Sequence, residues 1–142
     1  MPAFFLNGTA MSGQKNHEAV LGAVFLGPVR TAPSYRFISV RDEFPGLLPV
    51  PEFGVSIEGE LYELPNDVLY QSLLPQEPPE LALGIVELID SQQVHAMQLV
   101  PTRLRQNDPV VDISDFGGWR AYQAFRAANQ RLAQVLGRDA TT

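Results

Sequence analysis

The residues best suited to bind a small molecule follow an apolar run near the amino terminus. Phe4, Phe5 and Leu6 are typical of a strand covered on both faces, and they lead directly into Asn7-Gly8-Thr9-Ala10. The Asn-Gly pair tolerates positive φ, and the small side chains allow successive backbone N–H groups to face one way. Such a concavity suits a small anion or carboxylate. The alternative is a strand-to-loop turn without a ligand, because the pattern is weak by itself.

Three glutamates are candidates for proton transfer. Glu58 and Glu60 alternate with apolar residues in a predicted strand over 54–64, so their carboxylates lie about 7 Å apart on one face. Burial of one of them would raise its pKa and suit it to acid–base chemistry, whereas the alternative is a solvated strand face. Glu77, in the proline-rich stretch 75–80, is a further candidate general base.

A basic residue in another predicted strand is a candidate for carboxylate binding. Tyr35 and Arg36 begin the strand predicted over 35–40. A guanidinium can bind a carboxylate through two parallel hydrogen bonds, which would place both residues at a substrate. The alternative is an ordinary surface arginine.

The composition excludes several classes of function. The net charge of −6 disfavours a nucleic-acid partner, and the absence of cysteine removes thiol chemistry and thiolate metal sites. His17 and His95 lie far apart without carboxylates at metal-ligand spacing, so we predict neither a metal nor another cofactor. No stretch has the length of a membrane span, and no secretory leader is evident, which predicts a cytoplasmic protein without a membrane partner.

The elements that must position these residues are mostly short. The 142 residues fit one domain, and 12 prolines with 11 glycines favour a loop-rich fold that contains β-structure. We expect a turn at 42–46, a connector over 47–53, and a hairpin formed by 83–88 and 94–100.

One long amphipathic helix is predicted over 113–136. Ser114 or Asp115 would cap it, and its apolar residues recur every three to four positions. Trp119 and Tyr122 belong to this stripe, so we expect them to pack the helix rather than to contact a ligand. The stretch from 138 to 142 is expected to fray.

Several motifs together resemble the γ-glutamylcyclotransferase-like superfamily. The loop around Asn7-Gly8-Thr9-Ala10, the Asn16-His17 pair and the strand 54–64 occur in the expected order. Within the superfamily the chain is most similar to the C-terminal domain of allophanate hydrolase. The stretch 112–122, which contains Phe-Gly-Gly-Trp-Arg-Ala-Tyr, is the most specific part of that similarity. Because no amidase segment precedes these motifs, the chain resembles a free-standing version of the domain.

The resemblance implies an α+β fold with a small mixed sheet, partly closed like a barrel, and a ligand cavity at the loop after the first strand. In cyclotransferases that loop reads Tyr-Gly-Ser-Leu and its backbone holds a carboxylate, which assigns Asn7, Gly8, Thr9 and Ala10 to substrate binding. A glutamate after a later helix is the acid and base there, and Glu77 lies closest to that position. We expect His17, at another family position, to order the loop.

Two functional hypotheses follow. In the first, the loop binds a small carboxylate, carbamate or amide related to allophanate or urea, assisted by Arg36, and Glu77 or Glu58 transfers a proton if chemistry follows. Cyclisation of a γ-glutamyl amine is the alternative reaction. In the second, the chain is a non-catalytic accessory domain whose terminal helix binds an amidase or a second copy of the chain.

Overall fold

The computed structural model describes residues 3–138, which form a curled sheet with short helical segments and one long helix. Eight strands are present within this range. They are β1 (Ala3–Leu6), β2 (Val24–Arg30), β3 (Tyr35–Val40), β4 (Phe44–Pro49), β5 (Glu58–Glu63), β6 (Leu81–Glu87), β7 (Gln93–Leu99) and β8 (Val110–Asp112). The helices are α1 (Asn66–Val68), a π-helical turn (Leu69–Leu73), α2 (Leu74–Gln76) and α3 (Trp119–Val135), with 3-10 turns at His17–Val20, Pro101–Arg103 and Ser114–Phe116.

The sheet is mixed and closes on itself at one end. Its strands follow the order β2-β5-β1-β7-β4-β3-β8, and β6 also pairs with β7. Beyond the ends of β2 and β6, the Ala32 N–H donates to the Glu87 carbonyl at 2.9 Å and the Ile89 N–H donates to the Arg30 carbonyl at 3.0 Å. These bonds join the two outer strands of the path β2-β5-β1-β7-β6. The predicted α+β fold with a partly closed, mixed sheet is therefore confirmed.

The sheet divides at β7, and this division opens a space beside the loop that follows β1. One edge of β7 pairs with β6 along its whole length. On the other edge, β1 pairs in parallel through Phe5 and Ala96, and β4 pairs in parallel through Leu47 and Gln98. Two strands that follow one another along a single edge must diverge, so the chain leaving β1 turns away beside the start of β4.

The core explains why β1 is so apolar. Phe4 and Phe5 point to opposite faces of the strand, yet each is only 1% exposed. The barrel interior covers one face, and neighbouring elements cover the other. Both faces of β1 are thus buried, as its apolar run predicts.

Two sequence-based expectations about strands are corrected. The turn predicted over 42–46 and the connector predicted over 47–53 instead contribute three residues each to β4. This strand pairs with β3 along its whole length, with Phe44 opposite Val40 and Pro49 opposite Tyr35. In β5, the face predicted to be solvated is buried at Glu60, because Ser12, Tyr62 and Arg120 of α3 surround its carboxylate.

The helix predicted over 113–136 is interrupted. A 3-10 turn at Ser114–Phe116 ends at Gly117, whose φ of 77° is left-handed, and α3 begins at Trp119 after Gly118. Trp119 and Tyr122 are buried as expected, whereas Leu132 and Val135 are exposed. The tail expected to fray lies, from residue 139 onward, outside the described residues. No helix within 3–138 is long and apolar enough to cross a membrane.

Candidate functional site

A cavity of about 190 Å³ lies beside the loop that follows β1, and a narrower space of about 30 Å³ adjoins it. The residues that line both spaces are Thr9, Ala10, Phe44, Glu77 and Pro78. Asn7 and Gly8 line the narrower one. The structure therefore brings the four predicted loop residues together with Glu77, where β1 and β4 diverge.

The backbone of this loop offers unpaired N–H groups. Within residues 3–138, the N–H groups of Gly8, Thr9 and Ala10 donate no hydrogen bond. The N–H groups that follow are already used, since Met11 donates to the Gly8 carbonyl at 3.1 Å and Ser12 donates to the Glu60 carboxylate at 2.7 Å. Unpaired backbone donors must be satisfied by solvent or by a ligand.

The polar residues after the loop hold it from outside. The Asn16 N–H donates to the Thr9 carbonyl at 2.8 Å, and the Asn16 side-chain amide donates to the Thr9 hydroxyl at 2.9 Å. Nδ1 of His17 lies 2.9 Å from the Ala10 carbonyl and must donate, because a carbonyl only accepts. His17 thus orders the loop, as the resemblance implies.

Glu77 has the properties of a group that exchanges protons near neutral pH. It follows α2 directly, and its N–H donates to the Leu74 carbonyl at 3.1 Å. Within 3–138, no residue forms a hydrogen bond or an ion pair with its carboxylate. Burial raises the pKa of Glu77 to about 7. Both protonation states are therefore populated at neutral pH, which suits a general acid or base.

Lys15 is a cavity residue that the sequence reasoning did not select. It lines the larger space together with Thr9 and Glu77. Its ammonium group forms no ion pair with any residue of the described range. No nucleotide motif contains it; the available signal was only a cation a few residues beyond a small-residue loop.

Tyr35 and Arg36 do not reach this cavity. The Tyr35 hydroxyl accepts a hydrogen bond from the Glu87 N–H at 2.8 Å within the core. Arg36 donates to the Asp112 carboxylate at 2.8 and 3.0 Å and to the Phe53 carbonyl at 3.0 Å. Burial acts to raise the pKa of Asp112, but hydrogen bonds from Ser114 and Arg36 hold it below its usual value. The guanidinium therefore joins β3 to β8.

Glu58 and Glu60 lie on the far side of the loop, where they border a second depression of about 250 Å³. Glu58 is exposed and accepts a hydrogen bond from Arg30 at 3.3 Å. Glu60 is buried, but its pKa is lowered, because hydrogen bonds from Ser12, Tyr62 and Arg120 outweigh the effect of burial. An ionised carboxylate that already accepts several hydrogen bonds is a poor general base. Neither glutamate lines the cavity that contains Glu77.

The described residues contain no group of three or more histidine, aspartate or glutamate side chains arranged to hold a metal ion. The loop cavity is lined instead by the backbone of the loop, by the Lys15 ammonium group and by two carboxyl groups. One is Glu77, whose pKa is raised, and the other is Glu43, whose charge is paired with Arg41. This set suits an organic anion better than a cation.

The sequence pattern of the family described as allophanate hydrolase C-terminal domain matches residues 3–124. The crystal structure of c4763, a uropathogenic E. coli-specific protein, is similar with 30% identity and a TM-score of 0.78, covering 87% of this chain and 95% of that one. No curated protein sequence is significantly similar to the chain.

Two further structures share the fold. Allophanate hydrolase of Kluyveromyces lactis is 24% identical with a TM-score of 0.79, and the match covers 87% of this chain but 21% of that one. An aig2-like protein of Mus musculus is 23% identical with a TM-score of 0.56, covering 83% of this chain and 90% of that one. The same fold thus occurs both as most of a short chain and as a small part of a long enzyme.

Proposed function

The chain belongs to the allophanate hydrolase C-terminal domain family, and on this basis we propose that it binds a small carboxylate, carbamate or amide metabolite in the cavity beside the β1 loop. The observation that carries the proposal is the position of Glu77, whose pKa is about 7, in the same cavity as Thr9 and Ala10. A proton-exchanging carboxyl group and unpaired N–H donors are the two parts that such a site requires.

The negatively charged end of the ligand would bind the loop. The N–H groups of Gly8, Thr9 and Ala10 supply the hydrogen bonds, and the Lys15 ammonium group supplies the opposite charge. In this proposal Lys15 takes the role that the sequence suggested for Arg36, because Arg36 is bonded to Asp112. A cation close to backbone donors strengthens carboxylate binding in a partly buried site.

The amide or carbamate end would face Glu77. There the protonated side chain can donate a proton to a leaving nitrogen, and its ionised form can accept one from an attacking group. The reaction in this proposal is cleavage or decarboxylation of an allophanate- or urea-related compound. In the alternative, cyclisation of a γ-glutamyl amine, the attacking amine forms the new amide bond as the old one breaks. The loop carries Asn7 where cyclotransferases have tyrosine, which favours the first class.

A second candidate function is that of a non-catalytic accessory domain. It is supported by two observations: the fold makes up 21% of the Kluyveromyces lactis allophanate hydrolase, and α3 exposes Leu132 and Val135. In this case α3 would bind the remainder of an allophanate hydrolase-type enzyme, and the cavity would have no substrate. A second copy of the chain is the other possible occupant.

A thermal-unfolding screen separates the two candidates. The compounds are small dicarboxylates, 5-oxoproline, γ-glutamyl amides, allophanate and biuret, each tested with the wild type, Glu77→Gln and Lys15→Met. A ligand present at one hundred times its dissociation constant stabilises the folded state by about 2.7 kcal/mol. We expect one class to stabilise the wild type and to lose most of this effect with Lys15→Met.

The Glu77→Gln variant tests for chemistry after binding. It should retain binding to the loop and lose any turnover, because the glutamine amide does not titrate near neutral pH and cannot act as a general acid or base. Arg36→Ala is the control, and it should bind as the wild type does. If no compound in the screen stabilises the wild type, the small-molecule proposal fails and the accessory function gains support.

A further inference from the structure

The Ser12 end of the β1 loop is bound to a buried carboxylate. The Ser12 N–H donates to Oε1 of Glu60 at 2.7 Å, and the Ser12 hydroxyl donates to Oε2 at 2.6 Å. The Tyr62 hydroxyl also donates to Oε1, at 3.0 Å. Only 6% of Glu60 is exposed, so these donors replace most of the hydration that the carboxylate loses.

A residue of α3 completes this arrangement. Nη2 of Arg120 donates to the Ser12 carbonyl at 2.6 Å, to the Ser12 hydroxyl at 3.1 Å and to Oε2 of Glu60 at 3.1 Å. Arg120 therefore contacts both the loop and the carboxylate that holds the loop. Charge-assisted hydrogen bonds of this kind are stronger and more directional than neutral ones.

We propose that Glu60 and Arg120 are positioning residues that fix the β1 loop in its ligand-binding shape and couple it to the terminal helix. This inference rests on the proposed small-molecule function of the loop. Neither residue lines the cavity that contains Glu77, so both act through Ser12.

The geometry explains how two residues outside the cavity act on it. Asn16 and His17 hold Thr9 and Ala10, which leaves the exposed turn around Ser12 as the remaining part of the loop to be fixed. Glu60 accepts the hydrogen bond of the Ser12 N–H, so this N–H is not free to bind a ligand. The N–H groups of Gly8 to Ala10, which donate no hydrogen bond within the described residues, are then held in one arrangement. Less ordering is therefore needed when an anion binds.

The contacts of Arg120 also link the later residues of α3 to the site. Arg120 lies in the first turn of α3, directly after the buried Trp119, and the same helix exposes apolar residues such as Leu132 further along. A change in the position of this helix moves the guanidinium, and the guanidinium holds Ser12. The strength of anion binding in the cavity is thereby linked to how α3 is seated.

The test measures amide hydrogen exchange by NMR in the wild type, Arg120→Met and Arg120→Lys, without any ligand. Arg120→Met removes the hydrogen bonds of Arg120 to Ser12 and Glu60, which leaves the Ser12 turn less firmly held. Exchange of the Ser12 amide should therefore accelerate by a factor on the order of ten, and Arg120→Lys should restore part of the protection. The matched control is Arg126→Met in the same helix, because Arg126 pairs with Asp42 and does not contact the loop. Glu60→Gln is a second variant, and its melting temperature shows whether it folds. In the folded variant, exchange of the Ser12 amide should also accelerate, because the charged acceptor of its hydrogen bond is lost.

The same proteins are then titrated with 5-oxoproline as the probe. We expect the dissociation constant to rise on the order of tenfold in Arg120→Met and to remain unchanged in Arg126→Met. Unchanged Ser12 exchange in Arg120→Met overturns the positioning role, whatever the probe does. If exchange accelerates but neither the probe nor any other compound of the screen binds the wild type, the positioning role stands and the proposed function is the part that fails.

Discussion

Gly8 and Pro45 are in direct contact, and the contact leaves no room for a side chain at position 8. A Cβ atom at position 8 would lie 2.7 Å from Cδ and 2.8 Å from Cγ of Pro45. Pro45 belongs to β4, so this contact sets how closely the β1 loop approaches the strand that diverges from β1. The identity of Gly8 therefore follows from a neighbouring strand as well as from local turn preference.

The first prediction concerns this contact. Gly8→Ala should lower the free energy of unfolding by about 1–3 kcal/mol, because the proline ring is anchored in the backbone and cannot move aside cheaply. In the double variant Gly8→Ala/Pro45→Ala the loss should be smaller than the sum of the single losses, since alanine lacks Cγ and Cδ. Urea unfolding of the four proteins measures the coupling. Additive losses would show that the contact does not constrain the loop.

The second prediction concerns pH. The pKa of Glu77 is about 7 in the folded protein, compared with 4.5 for an unperturbed glutamate such as that of the unfolded chain. Between these two pH values the folded protein therefore binds more protons than the unfolded chain does. The free energy of unfolding should therefore fall as the pH rises through this window, by at most about 3 kcal/mol and by less where solvent reaches the group.

Urea unfolding at pH 4.5 and pH 8 tests this point. The difference between the two pH values should shrink in Glu77→Gln and should persist in Glu52→Gln, which removes the same charge from an exposed turn. Equal pH dependence in Glu77→Gln and the wild type would mean that Glu77 titrates normally.

The third prediction concerns Arg36, which does not line the loop cavity. Its side chain is 19% exposed and binds Asp112 and the Phe53 carbonyl, so Arg36→Ala should lower the free energy of unfolding by about 1–2 kcal/mol. Arg30→Ala, which breaks the exposed pair with Glu58, should cost less than about 1 kcal/mol. Calorimetric titration should show the same ligand affinity in both variants. A loss of ligand affinity in Arg36→Ala but not in Arg30→Ala would show that Arg36 contributes to ligand binding.

The fourth prediction concerns the exposed face of α3. Leu132→Gln and Val135→Gln should each change the free energy of unfolding by less than about 0.5 kcal/mol, because both side chains are exposed. If the chain is an accessory domain, the two changes together should abolish binding to an allophanate hydrolase that lacks its own C-terminal domain. Ile89→Gln, an exposed apolar position in the β6–β7 turn, is the matched control. Size-exclusion chromatography with light scattering measures the molar mass, which shows whether the complex or a dimer of the chain is present.

The missed strand β4 shows why local signals were insufficient in one region. Pro45, Gly46 and Pro49 are typical of a turn and a broken connector. The strand forms nevertheless, because it pairs with β3 over six residues while its other edge meets β7 only at Leu47. Each proline therefore falls where β7 requires no N–H donor. This arrangement depends on where β7 lies and is not visible in the local sequence.

Glu60 shows the same limit for side-chain roles. Alternation along β5 predicts a solvated face, and an alternating pattern cannot indicate that Ser12 and Arg120 will surround one carboxylate on that face. Residues from the loop, from β5 and from α3 meet there only because the closed sheet and the terminal helix bring Ser12, Glu60 and Arg120 together. The local sequence does not indicate the position of Lys15 for the same reason, since its place in the cavity depends on the turns that precede it.

The sequence by itself determined the elements whose signals are local: the buried strand β1, the small-residue loop after it, the β6–β7 hairpin and the helix that follows the Phe-Gly-Gly-Trp motif. It also placed Glu77 and the four loop residues among the candidates for one site. The tertiary structure decided which candidates meet, because distances between residues far apart in the chain depend on how the sheet closes. Where β1 and β4 part along one edge of β7, Glu77 and Lys15 reach the loop, whereas Tyr35, Arg36 and Glu58 are held elsewhere by their own partners.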